Sequence, residues 1–561
     1  MALADDLRKL VRGEVEDAPN ILEKYSRDAS LFAVTPQAIF HPNDATDIGI
    51  AVRYATKQKE QNPDSKISLT PRSAGTDMSG GPLNTSIIVD MTAHFNRLLE
   101  LSPSTSLGAT AYAVVEPGMY FRDFDKETKK KNLELPSYTA SRELNTVGGM
   151  VGNNSGGEKN LQYGKTARYV QELDVVLADG QVHTFKNLEG EEFKQKLEEK
   201  SFEGDLYREM AQIVRSGKPI IDAHKPQVEK NSSGYALWDI GDGVQSLNLA
   251  RLMVGAQGTL GIVTKIKFKL VHPKPYAAMT IAFLGSLAEL GKIVPEVLEK
   301  KPDSFESYDD QTFKLAVKYF PEFAAQMKTG MLSLGLSFLP EIGMMLVGGI
   351  PKLILIVEFR EDSQEAALKK AEDLAAEIKK NNPGVHARVA KNEEEERKYW
   401  AIRRESFNLL RKKVRGKRTA PFIDDFVVPP KVMPEFLPKL EAILKPYEKW
   451  MQYTVAGHVG DGNFHIIPLI DPNQKDMPKI LDELSHKVYD LVLAYNGSIS
   501  GEHNDGFVRT PYVQKMFGPE MYALFVKTKK IFDPHNIFNP GKKVGTTFSD
   551  ALTHLDLPKA K

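Results

Sequence analysis

Cysteine is absent from this 561-residue chain. Its own side chains therefore cannot supply a disulfide, a thiolate metal site, a cysteine nucleophile or a cysteine-ligated iron–sulfur cluster. An excess of charge is missing too: Lys+Arg and Asp+Glu each number 74, which gives no reason to expect a nucleic-acid partner. The local basic run RKKVRGKR (411–418) reads as solvated surface. The first residues, MALADDLRKLVRGEV, lack the apolar core of a signal peptide. A cytoplasmic location is expected, with peripheral contact to the inner face of the membrane left open.

Long apolar runs are scarce. MLSLGLSFLPEIGMMLVGGIPKLILIVEF (331–359) comes nearest, but Pro340, Glu341, Gly348, Gly349 and Pro351 interrupt it. A spanning helix needs about 20 predominantly apolar residues. The stretch reads instead as packed loops leading into a buried strand, LILIVEF. It is also the place to look for docking to a membrane or partner.

What the chain has is length, and length predicts two or three domains. Residues 1–35 form a charged, helical lead-in. Residues 36–275 alternate short strands with glycine-rich turns and helices: IAVRYATKQ is helical, SIIVDM and AYAVVEPG are strands, and LDVVLADGQVHTF is a hairpin. Residues 276–545 form an α+β half containing the amphipathic helix QEAALKKAEDLAAEIKK (364–380), and 546–561 are a polar tail.

Three glycine-rich segments fall in the first half: PRSAGTDMSGGPL (71–83), NTVGGMVGNNSGGEKNLQYGKT (145–166) and MVGAQGTLGIVTKIKFKL (253–270). Glycine lets backbone N–H groups approach an anion closely. None has the Rossmann G-x-G-x-x-G spacing or a P-loop G-K-[ST]. Alone, each is a plain turn more often than a ligand loop; three in one domain shift the balance toward a cofactor with a pyrophosphate.

In the second half, VAGHVGDGNFH (455–465) carries two histidines seven apart around Asp461-Gly462. A two-residue type I′ turn there would place His458 opposite His465 on one sheet face, with Cβ atoms about 4.5–5.5 Å apart. That geometry suits a shared cation, and equally an aromatic cross-strand pair without metal. Glu502-His503 adds a carboxylate and a third imidazole, the donor types of a His₂Glu site for zinc or another divalent first-row metal.

These segments, in this order, resemble the FAD-binding domain of the vanillyl-alcohol oxidase/p-cresol methylhydroxylase flavoproteins. WAIRRE (400–405), GHVGDGNFH (457–465), SGEHNDGFVRTPY (500–512) and IFDPHNIFNPGK (531–542) resemble the C-terminal domain of the D-lactate dehydrogenase, D-2-hydroxyglutarate dehydrogenase and glycolate oxidase branch. The resemblance covers roughly 20–545. It implies an α+β chain with a two-subdomain FAD-binding domain followed by an α+β FAD-linked oxidase C-terminal domain. It further implies an FAD cradle at Arg72, Ser73, Ala74, Gly75, Thr76, Gly80 and Gly81, then Gly148, Gly149, Asn153, Ser155 and Gly156. The adenine side falls near Gly258, Gly261, Ile262 and Val263, with Asn539 beside the isoalloxazine. The first loop has no histidine, so the FAD is expected to be non-covalent. Gln257 stands where the branch more often has Glu.

By the same resemblance, His458, His465 and Glu502 hold a divalent metal, zinc or manganese, and His503 is the catalytic base. Arg403 receives the substrate carboxylate, with Arg404 its easily confused neighbour. D-2-hydroxyglutarate dehydrogenases have a lysine where this chain has Ile423, which favours a monocarboxylate such as D-lactate. KNSSGYAL (230–237) and SGEHNDGFVRTPYVQKMFGPEMYALF pull the other way, toward large bacterial proteins that carry an added iron–sulfur domain, some of which act on D-2-hydroxyglutarate. The expected activity is FAD-dependent oxidation of a D-2-hydroxy acid, with electrons leaving to a separate iron–sulfur subunit, cytochrome, quinone or soluble acceptor. A metal hydrolase with structural glycine loops, and a flavin-binding subunit whose chemistry lies elsewhere, are the rival readings.

Overall fold

The computed structural model describes residues 3–103, 110–318, 349–413 and 417–556. Most of the apolar stretch 331–359 lies outside the described residues. Its end, LILIVEF, is a strand buried along its length.

Four strands build a first sheet: β1 (Glu14–Glu16), β2 (Ala38–His41), β3 (Leu69–Arg72) and β4 (Ile87–Asp90), in the order β1-β2-β4-β3. β2 and β3 both run parallel to β4, while β1 pairs antiparallel with β2. The parallel crossover from β2 to β3 is the helix Ala45–Gln61. Asp44 caps it by accepting from the Asp47 amide, and Ile48, Ala51, Val52 and Ala55 fall on one buried face. Each fully buried Ile or Val contributes about 1.5–3 kcal/mol. The lead-in is thus part of this sheet through β1, which lies between the helices Leu3–Leu10 and Pro19–Tyr25.

A second, antiparallel sheet follows: β5 (Leu98–Ser102), β6 (Tyr112–Val115), β7 (Val170–Val176), β8 (Val182–Glu189), β9 (Ser246–Asn248) and β10 (Ile262–Lys269), ordered β5-β6-β10-β7-β8-β9. β7 and β8 form the hairpin expected of LDVVLADGQVHTF, with Val176 paired to Val182. β10 alternates inward Ile262, Thr264, Ile266 and Phe268 with outward positions, the period-two pattern of a strand with one buried face.

Among the described residues, the main sheet of the second half has seven antiparallel strands. β11 (Tyr276–Leu284), β12 (Ser304–Asp309), β13 (Leu353–Glu361), β14 (His386–Val389), β16 (Phe426–Val427), β18 (Val455–His458) and β19 (Asn463–Ile466) lie in the order β14-β11-β13-β12-β18-β19-β16. β15 (Arg418–Thr419), β17 (Met451–Gln452) and β20 (Leu469–Ile470) form a small side sheet. The helix Gln364–Asn381, capped by Ser363, lays Ala367, Ala371, Leu374, Ala375 and Ile378 on the apolar core of this half.

The chain then returns to the first half. The long helix Gly506–Phe532, kinked at Gly518, sends Val513, Phe517, Met521 and Phe525 into the core beneath the second sheet. Beyond it, the Leu69 amide donates to Ile537 O and the Asn539 amide to Leu69 O, so this segment borders β3. Residues 547–556 are folded as well, with the helix Phe548–Leu552 and a backbone bond from Ala33 to His554. Among the described residues, no helix is long and apolar enough to cross a membrane.

Candidate active site

β18 and β19 set the first two imidazoles, in a register two residues away from the expected one. His458 pairs with Asn463, and Ala456 with His465. The connection is not a two-residue turn but a short 3-10 turn, Val459–Asp461, closed by Gly462 at φ 71°. Tertiary contacts explain the difference. Val459 is buried in the core, and the Asp461 carboxylate accepts from Asn160 Nδ2 at 3.0 Å instead of serving the turn. A shift of two residues preserves the face of every side chain, whereas a shift of one would have reversed it. The His458 and His465 rings therefore still meet, with centroids 5.2 Å apart.

Glu502 and His503 arrive on the loop before the helix Gly506–Phe532, bent into place by Asp425. The Asp425 carboxylate accepts from the Glu502 amide at 3.0 Å, the His503 amide at 2.7 Å and Ser500 Oγ at 2.8 Å. Glu502 Oε1 then lies 3.3 Å from His458 Nε2, 3.3 Å from His465 Nε2 and 3.7 Å from His503 Nε2. On the far side of each ring, Nδ1 meets a carboxylate: Glu306 at 2.6 Å from His458, and Asp424 at 3.2 Å from His465 and 2.7 Å from His503. Carboxylates on Nδ1 orient imidazoles so that Nε2 is presented, as in metal-ligating histidines.

The electrostatics agree. Burial pushes the His465 imidazole down, but Asp424 and Glu502 outweigh it and lift it to about 9. His503 is likewise depressed by burial and raised on balance by Asp425 and Asp424. Burial would raise Glu502, yet Lys230 and the neighbouring imidazoles hold it well below the ordinary carboxylate range. Buried carboxylates and imidazoles are thus concentrated at one point, the donor types that a divalent ion takes. Ligand atoms of Asp425, His465, Glu502 and His503 also lie within 4.8 Å of one another. Asp425 is already committed to backbone and hydroxyl donors, so the residues fit a divalent ion better through His458, His465 and Glu502, with His503 beside them.

Of the two adjacent arginines, Arg404 grips Glu158 with both arms of its fork, at 2.9 and 2.5 Å. Arg403 contacts a single oxygen, Glu306 Oε2, at 3.2 Å. Ile423 is fully buried in the apolar core of the second half.

The three glycine loops come together next to this cluster. Asp77 accepts from the amides of Ser79 and Gly81 and from Asn153 Nδ2 at 2.6 Å, joining the first loop to the second. Gln257 donates to Asn153 and Ser79 and accepts from the Gly506 amide. Gly258, at φ 67°, packs so closely on Pro71 that a Cβ would lie 2.2 Å from its Cγ. Gly261, Ile262 and Val263 lead into β10, Gly261 tight against Val175. Gly148 packs on Pro117, and Gly149 donates to the capping Thr146.

The first loop supplies the fit for an anionic cofactor. Among the described residues, the backbone N–H groups of 73–78 donate to no protein acceptor. Ser73, Ala74, Gly75 and Thr76 lie in this run, followed by Gly80 and Gly81. Arg72 turns its guanidinium away, to Tyr25 O and Arg27 O. Asn539 gives both amide hydrogens to Gly81 O and Gln257 O, and its oxygen accepts from Thr70. It braces the loops from beneath. Ser155 accepts from Thr166 through its carbonyl, and Gly156 reaches the cluster itself: a Cβ on Gly156 would lie 3.4 Å from Glu502 Oε2.

Asp424, Asp425, Glu306, Asp77 and Lys230 were not singled out from sequence. The first two carried a signal, adjacent acids inside the apolar run PFIDDFVV. Lys230 lies fully buried with Nζ 2.9 Å from Glu502 Oε2.

Comparison with known proteins completes the picture. Residues 36–186 match the FAD binding domain model, and 274–543 match the model for FAD linked oxidases, C-terminal domain. The chain is 26% identical over 524 residues to D-2-hydroxyglutarate dehydrogenase of Escherichia coli, covering 92% of this chain and 49% of that protein. It is 26% identical over 523 residues to glycolate oxidase subunit GlcD of Bacillus subtilis, covering 92% and 91%. It is 25% identical over 551 residues to D-lactate dehydrogenase of Archaeoglobus fulgidus, covering 97% and 99%. It thus spans about half the length of the Escherichia coli relative. Among solved structures, p-cresol methylhydroxylase with substrate bound shares the fold at TM-score 0.66 and 16% identity, covering 96% of each chain. The chain therefore belongs to the FAD-linked oxidase flavoproteins, with an FAD-binding domain of the p-cresol methylhydroxylase type followed by the FAD-linked oxidase C-terminal domain.

Proposed function

We propose that this chain oxidises a D-2-hydroxy acid to the 2-oxo acid, with D-lactate the favoured substrate. The observation that carries the reading is the convergence of three imidazole Nε2 atoms on Glu502 Oε1, beside Gly156 of the second glycine loop. Non-covalent FAD would be held by the amides of 73–78 and the second and third loops, and a zinc or manganese ion by His458, His465 and Glu502. When bound, FAD supplies the two-electron acceptor for the C2 hydrogen, and the ion acidifies the substrate hydroxyl.

The protein's part is placement and proton transfer. Asp424 on Nδ1 holds His503 in the tautomer that leaves Nε2 free to accept the hydroxyl proton. Arg403, held by one carboxylate oxygen, is the fork that can turn to the substrate carboxylate. Arg404 is occupied by Glu158 on both arms, so of this adjacent pair Arg403 alone is open to a substrate, which favours a monocarboxylate. Electrons then pass to a separate acceptor, since the chain has no cysteine for an iron–sulfur cluster.

The test is anaerobic mixing of the FAD-loaded chain with D-lactate, glycolate or D-2-hydroxyglutarate, with and without chelator. Flavin bleaching fastest with D-lactate, and suppressed by chelator, is expected. Bleaching fastest with D-2-hydroxyglutarate would select the activity named for the Escherichia coli relative. No bleaching by any of the three would move the chemistry to another subunit.

A further inference from the structure

Lys230 stands out among the buried charges because the chemistry above makes no use of it. Its side chain is fully buried, and Nζ lies 2.9 Å from Glu502 Oε2 and 3.9 Å from Asp461 Oδ2. The three imidazoles approach the other oxygen of the same carboxylate, Oε1. Glu502 is thereby divided, with one oxygen turned to the imidazoles and the other ion-paired with an ammonium.

The segment bearing Lys230 is anchored with unusual care. Lys165 Nζ donates to Asn231 O at 2.5 Å and to Gly501 O at 2.7 Å, and also to Ser232 Oγ. Lys543 Nζ donates to Ser232 O, Gly234 O and Asp505 Oδ2, each at 2.9 Å. Ser498 Oγ donates to Asn231 Oδ1 at 2.6 Å, and the Ser232 amide to Ser500 O at 2.9 Å. The residues that follow Lys230 are thus fastened to the segments before and after Glu502. Ordering a buried lysine this firmly costs side-chain entropy and desolvation, so its position against one carboxylate oxygen is a defined feature of the site.

We propose that Lys230 is a positioning residue that restricts Glu502 to one-oxygen ligation and thereby fits the metal site to zinc rather than manganese. The inference rests on the assignment of His458, His465 and Glu502 as ligands. Zinc is satisfied by few donors, imidazole among them, in a compact geometry, whereas manganese suits oxygen-rich sets. A carboxylate freed at Oε2 could chelate through both oxygens and add an oxygen donor. Loss of the ammonium also removes a positive charge, which strengthens binding of every divalent ion alike. The ratio of affinities, not either affinity alone, is therefore the diagnostic quantity.

The experiment uses the full chain loaded with FAD and stripped of divalent ions. Wild type, Lys230→Met, Lys230→Gln and Lys230→Arg are titrated with zinc and manganese, and the visible difference spectrum of added cobalt(II) is recorded for each. The zinc-to-manganese affinity ratio is expected to fall by about 10–100-fold in Lys230→Met and Lys230→Gln, the range for changes just outside the ligands. The cobalt bands should weaken as coordination number rises. Lys230→Arg, which still pins Oε2, should keep both ratio and spectrum near wild type. If one of the two neutral variants does not fold, the other carries the test. An unchanged ratio and spectrum in the folded neutral variants overturns the inference while leaving the metal ligands standing. Wild-type protein that binds no zinc, or Glu502→Gln that binds it as wild type does, overturns the ligand assignment and this inference together.

Discussion

Asp424 Oδ2 lies 2.7 Å from His503 Nδ1, and the same carboxylate reaches His465 Nδ1 with its other oxygen at 3.2 Å. One buried side chain thus orients both the proposed base and a proposed metal ligand. Burial opposes its charge, but the two imidazoles outweigh that and hold its carboxyl below the ordinary range.

Asp424→Asn removes the acceptor that fixes the His503 tautomer while keeping the shape of the side chain. Flavin reduction by the hydroxy acid should slow by about 10²–10⁴-fold, the range for losing general-base catalysis. Stopped-flow absorbance measures the rate. FAD content, expected near wild type, separates a chemical loss from a loss of cofactor.

Arg403→Lys keeps the charge but loses the planar fork. KM for the hydroxy acid should rise about 10–100-fold with a smaller change in kcat, because the lost contact is made to ground state and transition state alike. Arg404→Lys disturbs the Glu158 pair instead. Steady-state kinetics of the two variants side by side decide which guanidinium meets the substrate; a larger KM effect at Arg404 would reverse the assignment.

Asn539→Ala leaves the buried carbonyls of Gly81 and Gln257 without their donor. Orphaned buried acceptors make a loss of about 2–4 kcal/mol the expected outcome in urea unfolding. The first and third glycine loops lose their common brace, so FAD should also dissociate faster, which fluorescence of released flavin reports.

His41 joins three strands of the first sheet, with Nε2 2.9 Å from Glu16 on β1 and Nδ1 3.4 Å from Asp90 on β4. The Asp90 contact is the main cause that raises its pKa above the ordinary 6.5. A histidine raised on folding stabilises fully below its unfolded value and loses that contribution as pH climbs through the folded value. Wild type should therefore lose thermal stability relative to His41→Gln as pH climbs from below the ordinary 6.5 through the raised folded value. A constant difference between the two across that range would contradict the linkage.

Sequence alone determined those parts of the protein that depend on local chemistry. The glycine loops, the helix Ala45–Gln61 and the strand LILIVEF follow from backbone freedom and apolar periodicity, which neighbouring residues set among themselves. Even the histidine pair was legible, because the two-residue period of a strand keeps His458 and His465 on one face under either register.

Tertiary structure decided the register itself, through the buried Val459 and the bond from Asn160 to Asp461. It also decided which carboxylates stand behind the imidazoles, and that Arg404 is engaged where Arg403 is held by one oxygen. Glu306, Asp424 and Lys230 are 152, 41 and 272 positions away from the groups they hold, His458, His465 and Glu502. No local propensity encodes such pairings. They arise only when segments distant in sequence fold onto each other, within the second half for Glu306 and Asp424 and between the halves for Lys230, and a buried charge must find a partner or not be buried at all.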